Sequence, residues 1–297
     1  MPAEEIRMIR GAIIEKGHQW SAGLTSLSTL PEEEKKRRLG LVVEENEIKM
    51  MVAALAEEDA LAASEGIAFA YPSSWNWRNV YSRDWTTPIK DQGGCGSCVA
   101  FATIAIVESN LEIFRRNPYL NPNRSEADLF YCGCGKCCLT GWNFAPSLNY
   151  VRDKGVPDEA CFPYTPGNQA CKPCTDRNKR IIKIQGWRMI CNMSQAKEWI
   201  SRHGPVMTGM EVYDDFFSYR GGVYRHAYGA FRGLHAIVVV GYNDVDRYWI
   251  CKNSWGTGWG EAGWFRIAYG ECGIGTKFCF YTAEFPTLKD DIIMPKT

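Results

Sequence analysis

The chain has 297 residues, with 34 basic and 34 acidic side chains and no formal net charge. That balance argues against nucleic acid or an anionic membrane as the main partner, and no stretch reaches the length of a transmembrane helix. Hydrophobic residues make up 45% and charged residues 23%, the proportions of an ordinary globular protein with length for one large domain or two. The first residues, Met1-Pro2-Ala3-Glu4-Glu5, lack the apolar core of a signal peptide. Either the protein is not secreted or a leader has been removed, and thirteen cysteines favour the second. All of them follow residue 94, so the first third of the chain is built differently from the rest.

In chain order, Ile6, Ile9 and Ile13 fall on one helix face, with Ile14 beside them. Thr29 and Glu32 can form a capping box around Pro31, starting a charged helix that stops at Gly40. Val43 to Ala63 reads as a third helix, broken by Gly66. Up to residue 70 there are thirteen acidic and eight basic side chains, a net of −5, and the remainder carries +5. An acidic helical segment before a basic, cysteine-rich domain suggests docking of one on the other; an independent helical domain or a linker is the alternative.

From Gln92 to about residue 180 the pattern is helical. One helix starts at Cys98 with Ser97 as N-cap, another is capped by Ser125 with Asp128, and a third crosses Pro146 to Lys154. From Ile181 onward β-rich segments take over: Ile181 to Met189, Val206 to Val212, Ala236 to Tyr242, Tyr248 to Lys252, Trp264 to Tyr269 and Phe278 to Glu284. Ser194 is placed to cap a short helix between the first two. A helical half followed by a sheet half is an α+β arrangement.

Chemistry concentrates in Asp91-Gln92-Gly93-Gly94-Cys95-Gly96-Ser97-Cys98-Val99-Ala100-Phe101-Ala102. Cys98 falls in the first turn of a helix, where free N–H groups and the dipole favour a thiolate, the nucleophilic form. Of the histidines, His18 lies in the acidic segment, His203 precedes Gly204-Pro205 and His226 sits in a Tyr- and Gly-rich loop. His235 opens an apolar strand of β-branched residues, a rigid mount for a catalytic ring. Two further blocks follow in order, Leu234-His235-Ala236-Ile237-Val238-Val239-Val240-Gly241-Tyr242 and Lys252-Asn253-Ser254-Trp255-Gly256-Thr257-Gly258-Trp259-Gly260. Together the three blocks resemble the papain-like cysteine proteases, the group containing the cathepsins, over roughly residues 70 to 285.

The resemblance implies a two-lobed papain-like α+β fold, with a helical left lobe, a β-barrel-like right lobe and a catalytic cleft between them. Residues 1–69 would be a helical inhibitory pro-segment and 70–297 the peptidase domain, because Tyr71 to Arg78 resembles the family's mature N-terminus. Trp20 to Leu41 is similar to the second half of family pro-regions, although the interlaced helix motif of many pro-regions is absent or degenerate. Carried over by position, Cys98 would be the nucleophile and His235 its base, with Asn253 orienting the imidazole under a cover of Trp255. The Gln92 side-chain amide and the Cys98 backbone N–H would hold the oxyanion. Gly141 would pair with extended substrate, and Trp142, Asn143, Gly209, Ala236 and Lys277 would line the pocket for the second residue before the cut. Lys277 near its floor would favour acidic or polar side chains. No occluding insertion follows Trp142, which favours endopeptidase over carboxy-dipeptidase action. Val99 replaces the aromatic residue usual after the nucleophile, which would alter the leaving-side subsites and leave activity in place.

The resemblance further implies disulfides Cys95–Cys138 and Cys132–Cys171. Cys134, Cys137, Cys161, Cys174, Cys191, Cys251, Cys272 and Cys279 stay unassigned, with cysteines enough for six bridges once Cys98 is set aside. The cluster from Cys132 to Cys138 with Cys171 and Cys174 could instead bind zinc. Asn123-Arg124-Ser125 and Asn192-Met193-Ser194 match glycosylation acceptors, though both serines also look like helix caps. The expected activity is a cysteine endopeptidase written as its zymogen, acting on proteins or peptides, without cofactor or metal. It would be a monomer in a secreted or lysosome- or vacuole-like compartment, with its own pro-segment as intramolecular inhibitor. Two rivals remain open: a thiol–disulfide oxidoreductase using Cys95 and Cys98, and a catalytically silent protein-binding homologue.

Overall fold

The computed structural model describes residues 2–66 and 69–286. Residues 67 and 68, beside the expected junction near residue 70, lie outside the described residues, as does the tail from 287. In the first segment, α1 (Pro2–Glu15) buries Ile6, Ile9 and Ile13 and leaves Ile14 in solvent, as its apolar stripe requires. Strand β1 (Trp20–Ala22) follows, then α2 (Glu32–Lys36) and α3 (Glu45–Glu65). Helix α2 is shorter than its sequence suggests: Pro31 is the N-cap, without a side-chain capping bond from Thr29. The chain leaves helix at Arg37, and its backbone bonds go to the domain instead. Trp142 N–H donates to Gly40 O and Val42 N–H to Trp142 O, both at 2.8 Å. Tertiary pairing outweighs the helix propensity of this charged stretch.

After the short strand β2 (Ser74–Asn76), helix α4 (Cys98–Phe114) runs through the middle of the molecule. Every residue from Cys98 to Ile113 is buried, so α4 is covered on all sides, unlike a surface helix. A π-turn at Asp128–Cys132, helix α5 (Phe144–Asp153) and the short α6 (Arg177–Arg180) complete the helical lobe. Ser125 does cap the π-turn, accepting from the Asp128 N–H at 2.9 Å. The sheet lobe holds β3 (Met189–Ile190), α7 (Met193–His203), β4 (Val206–Tyr213), β5 (Tyr219–Tyr224), β6 (Phe231–Asn243), β7 (Tyr248–Lys252), β8 (Trp264–Ala268) and β9 (Phe280–Tyr281).

Among the described residues nine strands form one sheet in the order β1-β5-β8-β7-β6-β4-β9-β3, with β2 also on β6. This path is open, so the barrel-like description is loose. Strand β1 adds the acidic segment to the sheet edge, with Trp20 opposite Gly222. The expected strand over 181–189 is reduced to isolated bridges at Ile182 and Gly186 ahead of the two-residue β3. Ser194 is not the cap of α7: Asn192 is, accepting from Gln195 N–H at 2.8 Å, and its burial leaves no room for a glycan.

Five disulfides are present: Cys95–Cys138, Cys132–Cys171, Cys134–Cys137, Cys161–Cys174 and Cys191–Cys279. Cys251 and Cys272 stay unpaired, which reduces the six possible bridges to five. The zinc alternative fails because all six candidate sulfurs are committed to these bonds.

Candidate active site

Cys98 opens α4, and His235 lies near the start of β6, which packs against that helix. Both side chains are fully buried. The backbone N–H of Ala236 lies near enough to the Cys98 sulfur to favour its thiolate, which puts the residue next to His235 beside the thiol across the lobe boundary. His235 Nε2 donates to Asn253 Oδ1 at 2.8 Å, and the Asn253 oxygen also accepts from Ser254 N–H at 2.8 Å. This fixes the tautomer: with its proton on Nε2, the ring has Nδ1 free to accept, and Nδ1 is buried without a partner. The Trp255 ring lies 4.7 Å from the imidazole, fully buried, and excludes water from the His–Asn bond. In this state Trp255 offers no surface to a substrate.

Gln92 is buried and held on both ends. Its Oε1 accepts from Ser254 Oγ at 2.7 Å, while Nε2 donates to Cys95 O at 2.8 Å and to Arg38 O at 3.0 Å. A main-chain carbonyl of the acidic segment therefore already occupies the side-chain amide expected to hold an oxyanion. The Arg38 carbonyl also lies against the His235 ring, and the Gly40 N–H faces the Cys98 sulfur. Sequence reasoning missed three supports. Tyr164 OH bonds both Ser97 Oγ and Gln92 O at 2.8 Å, Ser254 clamps Gln92, and Asp91 pairs with the Arg38 guanidinium at 2.7 Å. Ser254 sits inside the Lys252–Gly260 block and could have been found there; Tyr164 carries no local signal. Ser97 keeps its N-cap position, but its hydroxyl goes to Tyr164 rather than to the helix.

Burial pushes the Cys98 thiol up to about 11, against the pull of the N–H groups of Ala236, Gly40 and Val99. Burial also pulls the His235 imidazole down to about 4, although the bond to Asn253 acts the other way. Desolvation under residues 38–41 therefore works against the thiolate that the helix start favours.

Residues 38–42 fill the groove. A Cβ on Gly40 would run into the Gly96 carbonyl, and one on Gly141 (φ +77) into Gly40 O, so the two backbones approach as only glycines allow. Leu41 is buried, with its Cδ2 2.7 Å from where a Gly209 Cβ would stand and Phe278 on the other side. Trp142 and Ala236 are buried nearby, and Asn143 is half-buried at the start of α5. Lys277 does not leave a bare charge at the pocket floor. Its Nζ pairs with Glu211 Oε1 at 2.5 Å, because Glu211 follows Gly209 by two on the same face of β4. That correction removes the basis for a preference for acidic side chains.

The redox alternative requires a Cys95–Cys98 bridge, but Cys95 is bonded to Cys138 and Cys98 is free. The model of the papain family of cysteine proteases matches residues 71–282. Cathepsin B-like CP3 of Giardia intestinalis is 31% identical over 273 residues, 86% of this chain and 87% of that protein. ProCathepsin B S9 from Trypanosoma congolense, at 23% identity, shares the fold with a TM-score of 0.75 over 95% of this chain and 98% of its own. The bromelain protease of Ananas comosus, solved in complex with the E64 inhibitor, is 29% identical with a TM-score of 0.61, covering 72% of this chain and all of its own. The chain belongs to the papain family of cysteine proteases.

Proposed function

We propose that the chain is the zymogen of a cysteine endopeptidase, in which Cys98 attacks a peptide carbonyl, His235 moves the proton and Asn253 holds the imidazole. One observation carries the reading: His235 is fixed to Asn253 by Nε2, its Nδ1 has no partner, and its neighbour Ala236 lies beside the Cys98 sulfur. Once the groove is open, Nδ1 takes the thiol proton and the sulfur adds to the carbonyl carbon. The oxyanion is held by Gln92 Nε2–H and the Cys98 N–H, where the Arg38 carbonyl now marks the place of a substrate oxygen. The imidazolium protonates the leaving amine, and water, deprotonated by the same ring, hydrolyses the thioester.

Residues 1–69 act as the inhibitor, with the domain from about residue 70. The bridge of Leu41 with Trp142 is parallel, and Gly40 presents an N–H to the sulfur rather than a carbonyl carbon. This supports a segment that blocks the cleft without being cut there. Endopeptidase action is supported by the direct run from Trp142 into α5 at Phe144, with no insertion between them. Five disulfides favour an oxidising compartment, and a monomer is expected.

The test is digestion of an unstructured protein by the acid-processed chain, with the peptides sequenced. Internal cuts that disappear in Cys98→Ala support the reading. Release of carboxy-terminal dipeptides alone would overturn the endopeptidase part, and undiminished cutting by Cys98→Ala the nucleophile.

A further inference from the structure

At the far end of α4 from Cys98 lies a second concavity, a groove of about 290 Å³ lined from α4, α7 and the segments around Arg188 and Phe285. Seventeen residues of α4 place it roughly 20 Å from the thiol at 1.5 Å per residue, so it is not an extension of the cleft. Arg116, Arg188 and Arg202 line it, together with Glu284. Glu284 pairs with Arg188, and Glu198 with Arg202 at 3.2 Å. The walls are flat and aromatic: Phe114 stacks on Phe285 at 5.5 Å, and Trp199 lies 4.3 Å from the His203 ring and under the Arg188 guanidinium at 4.9 Å.

Polar atoms in this groove are left over. Asn110 is buried, and its amide donates to Ala283 O and Pro205 O, yet its Oδ1 has no partner. Trp199 Nε1 and Arg202 Nε are likewise buried donors without acceptors. Buried donors left unpaired carry a desolvation penalty. Arg188, Arg202, Glu284 and Glu198 act on His203 electrostatically, and the Trp199 ring lies beside it. Burial and then the two arginines hold its imidazole below the usual range.

We propose that this groove binds a small organic anion: an oxyanion headgroup, carboxylate or sulfonate in type, on a flat apolar body. The headgroup meets Arg188 and Arg202, and the body lies against Phe114 and Phe285. A headgroup there reverses the field at His203, so binding draws a proton onto the ring. Affinity for a group that does not titrate itself therefore rises as pH falls from 8 to 6.

The probe is naphthalene-2-sulfonate, titrated calorimetrically into the Cys98→Ala chain, with sulfate and 2-naphthol as its two halves. One site per chain is expected, several-fold tighter at pH 6 than at pH 8, with each half weaker by at least tenfold. Arg188→Gln is expected to weaken binding about tenfold, and His203→Gln to abolish the pH dependence. Neither residue belongs to the cleft, so both changes placed in the active chain should leave peptide hydrolysis intact, which verifies the fold. Absence of saturable binding at millimolar probe, or binding that ignores both substitutions and pH, overturns the proposal.

Discussion

Burial moves the protonation equilibria of Cys98 and His235 in opposite senses, the thiol up to about 11 and the imidazole down to about 4. With the groove filled, the neutral pair is favoured at physiological pH, and the proposed thiolate–imidazolium pair requires water to return. Alkylation of Cys98 by iodoacetamide in the intact chain should therefore rise only at strongly alkaline pH. After loss of residues 1–69 it should proceed at neutral pH; equal profiles would contradict the reading. Removing donors tests the rest of the site. Gln92→Ala is expected to lower kcat by about 10²–10³, and His235→Ala by about 10²–10⁴, in steady-state peptide hydrolysis by the processed domain. Gly40→Val cannot keep the backbone approach to Gly96 and should release the segment, speeding self-processing in a gel time course. Cys98, His235, Asn253 and Gln92 could be picked out as candidates because each stands in an ordered local block. Arg38, Asp91 and Tyr164 were not, because their contacts join residues 53 to 72 positions apart.

Among the elements, α4, β4, β6 and β7 were readable from continuous apolar runs, and Tyr248–Lys252 agrees residue for residue. Strand β5 was missed because Tyr219-Arg220-Gly221-Gly222 has poor strand propensity. It exists because β1 pairs on one side and β8 on the other, one antiparallel and one parallel. The expected strand at 181–189 failed for the converse reason, having only single-bridge partners. Pairing of the cysteines beyond the two implied bridges was illegible, since spacing does not report Cα proximity. Cys191–Cys279 joins the entry of α7 to β9 across 88 residues. Cys191→Ser with Cys279→Ser should lower unfolding free energy by about 2–5 kcal/mol in guanidinium titrations. Peptide hydrolysis below the transition should survive, because the bridge includes none of Cys98, His235, Asn253 or Gln92.

At the scale of the molecule, charge and burial both point to acid. The segment carrying −5 sits on a domain carrying +5, so protonation of its carboxylates should weaken docking, and under the proposed zymogen reading self-processing should speed up as pH falls. The domain itself buries Glu112, whose Oε1 accepts from Asn121 N–H at 2.8 Å while Oε2 has no partner. Burial pushes this carboxyl up to about 7, above its ordinary 4.5. A raised folded value means stability that is full below the unfolded pKa and lost as pH rises through the folded one. The melting temperature should therefore fall by several degrees between pH 4.5 and 7, and Glu112→Gln should flatten that slope. The central claim, a single sulfur made nucleophilic when residues 38–41 leave the groove, is tested most directly by mapping an epoxysuccinyl inhibitor on the chain before and after processing. Adduct on Cys98 alone, and only after processing, is the predicted result. Equal labelling before processing, or label on Cys251 or Cys272 with Cys98 untouched, would contradict it.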